Sequence, residues 1–466
     1  MPAATPSSRP RPMPAESTIA QLGPQIRSGT ISSEGLTRAC LERIEAANPE
    51  LHAFITVLTE SAIEQARTAD REIASGHYRG PLHGVPISLK DLLDVQGVAT
   101  TAASHVRDGH VAETDAVAVA RLREAGAVFV GKCNLHEFAF GTTNEESAYG
   151  PAKHPMDSTR SPGGSSGGSA VSVATGMAYA SIGTDTGGSI RIPSAACGLV
   201  GLKPSFGEVD VDGVVPLSWS LDHVGPLCRS VADAAILHDV LRGSTPRPEA
   251  TPRHSAITLG IPRAYFLDRL DAGVAAAFEA TCARLRESGV VLQDVHIPHA
   301  SDAAPIYLHI VLAEAAAYHA HTLETAPEAY QPDVRLRLEM GRYVLAEDYV
   351  RALRGQQVLR HDVDEALAGR DGLLLPTLAI PAPVRGTTAV RLGDADEPIR
   401  SAMLRLTQPF NISGHPALTI PCGLTPEGLP AGAQFVGHRD RTASLLQVGR
   451  SVESVVWPDG FSVVAR

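Results

Sequence analysis

The stretch "SPGGSSGGSA", residues 161–170, holds four glycines and four serines in ten positions. If it is a flexible linker, the chain divides here into two domains; if it is embedded in packed structure, the chain is one unit. Between 141 and 230 the sequence stays rich in Gly, Ser and Pro, yet it carries apolar runs such as "AVSVATGMAYASIG" (170–183) and "CGLVGLKP" (197–204). A Gly/Ser linker behaves as a random coil and lacks such runs. The stretch therefore belongs to a folded region.

Working outward, strand-like and helical patterns lie on both sides. "GVPISLKDLLDV" (84–95) and "GAVFVGKCNL" (126–135) are short apolar runs with a helical "DAVAVARLREAG" (115–126) between them. That order predicts a crossover between parallel strands. "ISSEGLTRACLERIEAANPELHAF" (31–54) reads as a helix capped by Ser32 or Ser33 and ended at Asn48-Pro49. A second helix, "TESAIEQARTADREIASG" (59–76), stops at Gly76. Residues 263–370 are mainly helical in pattern, and strands return at "GLLLPT" (372–377), "PALTIPCGL" (416–424) and "AGAQFVGH" (431–438). The expected fold is α/β: a single large domain over 16–466, its central mixed, mostly parallel twisted sheet wrapped by helices. A helical, substrate-shaping insert is expected around 263–370. Residues 1–15, rich in Pro, Ser and Ala without an apolar signal core, read as a disordered tail.

The 466 residues contain 40 basic and 51 acidic side chains, a net charge of −11, with no dense basic run. Nucleic acid and anionic membranes are therefore not expected partners. Six cysteines are scattered without a CxxC pair, which points to reduced, mostly buried thiols in a cytoplasmic setting.

Two serine motifs compete for the chemistry. "GSSGG" (164–168) matches G-x-S-x-G around Ser166, but a nucleophile elbow needs a strand just before the serine. Here "KHPMDSTRSP" precedes it, polar and closed by Pro162. Downstream, "GTDTGGSIRIPSAACG" (183–198) places Ser189 after Gly187-Gly188, where backbone can approach a ligand. Consecutive N–H groups at Thr186, Gly187, Gly188 and Ser189 could converge on a developing oxyanion. A serine nucleophile needs a base, and a lysine serves if burial disfavours its charge. Lys90, within the apolar run 84–95, is the candidate. Taken singly, Lys90 also fits a strand-end residue reaching solvent, and Ser189 a helix cap.

Four motifs in this order, "GVPISLKD", "PGGSSGGSA", "GTDTGGSIRIPSA" and "GLKPSFG", closely resemble the amidase signature family of serine hydrolases. The segment "GKCNLHEFAFGTTNEESAYGP" (131–151) resembles the family's lead-in, and the likeness runs from residue 33 to residue 437. The resemblance implies a Ser–cis-Ser–Lys triad: Ser189 as nucleophile, Ser165 as the cis-serine and Lys90 as base. The 24-residue separation of Ser189 from Ser165 fits the family and selects Ser165 over Ser166. It further implies oxyanion-hole amides at Thr186, Gly187 and Gly188. Asp185 and Arg191 are implied as the brace of the nucleophile loop, and Ser166 as a supporting hydrogen-bond partner near Lys90. Pocket walls are expected from 134–150 (Phe140, Gly141, Thr142), from around Trp219, and from the helices after 300. Trp219, in "PLSWSLDHVGP", fits either core packing or a pocket wall.

The implied activity is hydrolysis of amide C–N bonds through a serine acyl-enzyme, with esters and carbamates (urethanes) accessible to the same chemistry. The alternative is a glutaminase-type A subunit of a tRNA-dependent amidotransferase. The partner is then a small-molecule amide, ester or carbamate, and a homodimer is an expectation because family members are often dimers. No cofactor or metal is expected. "HEFAF" (136–140) lacks the second histidine of a zinc motif, "GGSSGGS" lacks the Gly-Lys-Ser/Thr of a phosphate loop, and His309, His319 and His321 read as a solvated surface.

Overall fold

Thirteen strands form among the residues described by the computed structural model, 16–246 and 257–462. In chain order they are β1 (Phe54–Val57), β2 (Pro86–Lys90), β3 (Val128–Cys133), β4 (Ala180–Thr184), β5 (Val200–Lys203), β6 (Val224–Cys228), β7 (Thr258–Pro262), β8 (Val291–Val295), β9 (Gly372–Pro376), β10 (Ala389–Leu392), β11 (Ala395–Pro398), β12 (Ala417–Leu424) and β13 (Pro430–Val436). Eleven make one sheet in the order β1-β3-β2-β4-β6-β5-β12-β13-β9-β7-β8, and β10 and β11 form a separate hairpin. The sheet is mixed. Parallel pairing gathers in two blocks, β3-β2-β4 and β9-β7-β8, and the strands between them run antiparallel. The first block contains the crossover expected from sequence: β2, the helix Val117–Glu124, then β3 parallel to β2. Strands from both halves of the chain share this one sheet, so the molecule is a single domain. The tail assigned to residues 1–15 lies outside the described residues.

β2, β3, β4 and β9 are buried at every residue, because helices cover both faces. The helix Ser33–Leu51 lies over β2 and β3 and Thr59–Ala74 over β3, and Ala272–Glu287 and Thr442–Val456 lie over β12. Ser32 caps the first of these by accepting from the Gly35 N–H at 3.1 Å. That helix does not end at Asn48-Pro49 as expected: it runs to Leu51, and His52 closes it in the left-handed conformation. Pro49 sits in the last turn, where loss of one N–H and one i−4 contact is tolerated.

Burial decides between linker and packed structure for the Gly/Ser stretch. All residues from 161 to 197 are buried, and "GGSAVSVA" (167–174) is a helix packed against β2, β4 and β6. Its glycines permit close approach: a Cβ on Gly168 would strike the carbonyl oxygens of Ala53 and Asn134. The segment is neither linker nor elbow, since no strand precedes Ser166.

The region 263–370 is mainly helical, with helices Ala272–Glu287, Ala303–Tyr318, Ala320–Thr325, Pro332–Gly341 and Ala346–Leu367. It is not wholly an insert, however. Its first helix packs on the sheet, and β8 is the edge strand beside β7, exposed or half-exposed along its length. A short edge strand with polar positions carries a weak apolar signal, so the helical pattern around it dominates the sequence reading. The layer beyond β8 builds its own apolar cluster with β9, through residues such as Ile310, Val334, Leu359 and Leu375. His319 also departs from expectation. It is buried, with its Nδ1 2.9 Å from the Tyr330 hydroxyl, while His321 is exposed.

Candidate active site

Lys90 ends β2 and is fully buried. Its Nζ donates to Ser165 Oγ and to Thr184 Oγ1, each at 2.7 Å, and no acidic side chain among the described residues is bonded to it. Burial pulls its pKa down to about 7, against the pull of Asp185 and Asp222. An ammonium in bulk water gives up its proton above pH 10; this one does so near neutrality.

Ser165 follows a cis Gly164–Ser165 peptide and is fully buried. Its carbonyl accepts from the His136 N–H at 3.0 Å. Ser189 stands on the turn between β4 and the helix Arg191–Cys197, and its carbonyl accepts from the Ser166 N–H at 3.3 Å. It is 6 % exposed whereas Lys90 and Ser165 are at zero, so Ser189 faces the outside of the three. Ser166 does not bond Lys90 directly: its hydroxyl donates to the Thr184 carbonyl at 3.2 Å, and Thr184 supplies Lys90's second partner.

The turn 185–189 is built around Gly188, whose φ of +144° disfavours any side chain. A Cβ there would collide with Thr407 Oγ1, and one on Gly187 would lie 2.6 Å from Tyr307 Oη. The N–H groups of Thr186, Gly187, Gly188 and Ser189 donate to no hydrogen bond among the described residues. The neighbouring N–H groups of Ile190 and Arg191 instead point at Asp185 Oδ2, at 3.1 and 3.4 Å.

Asp185 and Arg191 form a buried bidentate pair, with Nη2–Oδ1 at 2.9 Å and Nε–Oδ2 at 3.0 Å. Arg191 also donates to Thr407 O (2.9 Å), Gln434 Oε1 (2.6 Å) and Asn411 Oδ1 (2.6 Å). Burial alone would raise the Asp185 pKa, but the Arg191 guanidinium and the Asn411 amide outweigh it and hold the carboxyl well below the usual range. The loop is thus fixed from two distant parts of the chain, the helix around 407–411 and β13.

Of the expected pocket residues, Phe140 and Thr142 are buried, and Gly141 makes room for the His136 ring, which a Cβ would overlap. Trp219 is 52 % exposed, which rules out core packing; it borders a small cavity of about 80 Å³ shared with Thr184, Thr186 and Asp222. Its loop is anchored by Glu314, a buried carboxylate that accepts from Ser218 Oγ (2.6 Å), Ser220 Oγ (2.5 Å) and Tyr349 Oη (2.8 Å). Asp222, pushed up to about 6 by burial, accepts from Thr186 Oγ1 at 2.6 Å. The roles of Thr184, Asn411 and Gln434 are not read from the sequence. For Thr184 a signal exists, since it lies inside the motif 183–195 and ends the strand leading into the nucleophile turn.

A fully buried lysine bonded to hydroxyls lies beside a serine turn with free amides on a mixed α/β sheet, and comparison with known proteins makes the chain an enzyme of a class acting on C–N bonds. The family model described as Amidase matches residues 35–446, and the chain belongs to this amidase signature family. It is 38 % identical to the A subunit of the glutamyl-tRNA(Gln) amidotransferase of Chloroflexus aurantiacus, over 93 % of this chain and 95 % of that protein. Among solved structures it superposes on an amidase with a TM-score of 0.89 at 38 % identity, covering 94 % of this chain and all of the other. Against the corresponding A subunit of Thermotoga maritima the TM-score is 0.77 at 29 % identity, covering 96 % of this chain and 97 % of that one. No helix among the described residues is long and apolar enough to cross a membrane.

Proposed function

We propose that this chain hydrolyses amide C–N bonds through an acyl-enzyme on Ser189, with Ser165 relaying protons to Lys90. The observation that carries the reading is Lys90: buried, bonded only to hydroxyls among the described residues, and able to give up its proton near pH 7. A neutral Nζ accepts the Ser165 proton while Ser165 Oγ takes the proton of Ser189. Ser189 Oγ then attacks the carbonyl carbon. The tetrahedral oxygen is held by the amides of Thr186, Gly187 and Gly188, which stabilise charge present only in the transition state. Ser165 returns a proton to the departing nitrogen, and water releases the acyl group by the same relay. Asp185 and Arg191 act as positioning residues that keep these amides aimed. Esters and carbamates offer the same carbonyl and fall within this chemistry.

A second reading, the glutaminase-type A subunit of a tRNA-dependent amidotransferase, is supported by the 38 % identity to such a protein over nearly the whole chain. A solved amidase is equally similar, at 38 % identity over 94 % of this chain, yet the relatives so named make the A subunit the better supported of the two readings. Purified chain alone, without ATP or tRNA, is offered glutamine, aryl acylamides, short aliphatic amides and an aryl carbamate. Turnover of the acylamides supports the stand-alone enzyme, and turnover of glutamine alone, requiring a partner, supports the amidotransferase reading. No turnover, with Ser189 unlabelled by a fluorophosphonate probe, overturns both.

A further inference from the structure

The motif "GLKPSFG" (201–207) takes no part in the relay, yet it carries a fully buried lysine of its own. Lys203 ends β5, and its Nζ has two partners among the described residues. It donates to the Pro204 carbonyl at 2.9 Å and lies 3.1 Å from His223 Nε2. No acidic side chain among those residues is bonded to it. His223 directly precedes β6 and is 3 % exposed.

The contacts of the imidazole decide where its hydrogen sits. Nδ1 faces two carbonyl oxygens, Leu221 O at 2.7 Å and Asp185 O at 3.1 Å. Carbonyls only accept, so Nδ1 carries the hydrogen. Nε2 is then the acceptor of a neutral ring, and Lys203 Nζ supplies its donor. Burial, with Lys203 and Arg191 adding to it, holds His223 well below the usual imidazole range. Burial, with Arg191 adding to it, also pulls Lys203 well below the usual ammonium range, against Asp185 and Glu208. A neutral amine has two N–H donors, and Pro204 O and His223 Nε2 use both. The Phe206 ring packs edge-on against the imidazole, with centroids 5.5 Å apart.

The Asp185 carbonyl links this pair to the nucleophile turn. It accepts from Asn411 Nδ2 at 3.0 Å and from the His223 backbone N–H at 3.2 Å, as well as from Nδ1. It also shares a peptide plane with the Thr186 N–H, the first of the amides left free in the turn 185–189. In a trans peptide the C=O and N–H bonds point in opposite directions. Holding the carbonyl on one side therefore aims the amide to the other.

We propose that Lys203 and His223 are positioning residues: the lysine holds the imidazole as its Nδ1–H tautomer, and that N–H fixes the Asp185–Thr186 peptide so that its amide points at the developing oxyanion. The inference rests on the acyl-transfer reading, and its test separates the two. The readout is phosphonylation of Ser189 by a fluorophosphonate: the Oγ–P bond forms, fluoride leaves, and the same amides hold the phosphoryl oxygen. His223→Leu is expected to lower the maximal labelling rate at least about tenfold, with the half-saturating probe concentration changed less than about threefold. His223→Asn, whose side-chain N–H replaces Nδ1–H, recovers most of that loss. Lys203→Met, which leaves Nε2 without a donor, falls between the two. In NMR of the ¹⁵N-histidine-labelled chain, the ring signal missing from His223→Asn is expected to be that of a neutral, Nδ1-protonated imidazole at neutral pH. A labelling rate unchanged in His223→Leu or Lys203→Met, no recovery in His223→Asn, or a ring that is charged or Nε2-protonated would overturn the proposal. If His223→Leu does not fold, the Lys203→Met rate and the ring signal decide. An unaltered chain whose Ser189 is not labelled overturns the acyl-transfer reading, and this inference with it; labelling indifferent to both substitutions overturns this inference alone.

Discussion

Lys90 and Lys132 end neighbouring parallel strands, and both are fully buried. In the ladder Leu89 faces Lys132 and Lys90 faces Cys133, so the one-residue offset sends the two side chains to opposite faces of the sheet. On one face Lys132 meets Asp91, with Nζ 2.8 Å from Oδ1, and donates to Thr100 Oγ1 at 3.1 Å. On the other, Lys90 meets only the hydroxyls of Ser165 and Thr184. Equal burial gives opposite chemistry. An acid partner stabilises the charged form and makes a lysine structural, whereas hydroxyl partners leave it able to give up its proton.

Four experiments bear on that contrast. The largest expected effect is at the end of the relay: Ser189→Ala lowers kcat by about 10⁴-fold or more, measured on whichever amide the panel identifies. Next, Lys90→Met lowers kcat by about 10³-fold without lowering Tm, because no charged partner is stranded. Lys132→Met does the reverse, costing about 3–5 kcal/mol of stability by leaving Asp91 buried and unpaired. Matching Tm losses in the two variants would erase the distinction between them. Then comes pH. Because the active form is deprotonated Lys90, kcat/KM rises through about pH 7 and levels off above it. Thr184→Asp gives Lys90 the kind of partner Lys132 has, favours the ammonium, and moves that limb to higher pH by about one unit. A limb that stays in place assigns it to another group. Smallest is Trp219→Ala, an exposed wall residue: KM changes several-fold at most and stability by about 0.5 kcal/mol or less.

The sheet side of the site was legible in the sequence because its parts are contiguous. Lys90, Ser165, Asp185, Gly188 and Ser189 lie in short motifs whose glycines and serines have few other reasons to cluster. The opposite wall was not legible. Tyr307 sits in a helix of ordinary composition, and only tertiary packing brings it beside Gly187. The same holds for Asn411 and Gln434, which reach Arg191 across 220 and 243 residues of sequence. Backbone-defined turns leave a signature in a single sequence; a side chain that completes a cleft from a distant helix leaves none. His136 shows the limit from the other direction. It is visible in "HEFAF" and excluded there as a zinc ligand, but its place beside Ser165 depends on a loop closure that periodicity does not encode.

All six cysteines are buried: Cys40 on the inner face of the helix Ser33–Leu51, Cys133 and Cys228 at strand ends, Cys282 on the helix Ala272–Glu287, Cys422 in β12, and Cys197 with its thiol directed at the Pro162 carbonyl. Thiol dyes react with accessible thiolate, so the folded chain stays dark to them. Each sulfur that lights up records the opening of one segment, and Cys197 watches the loop that carries Ser165. The protein thus comes with six built-in reporters of local unfolding, readable one at a time by peptide mapping.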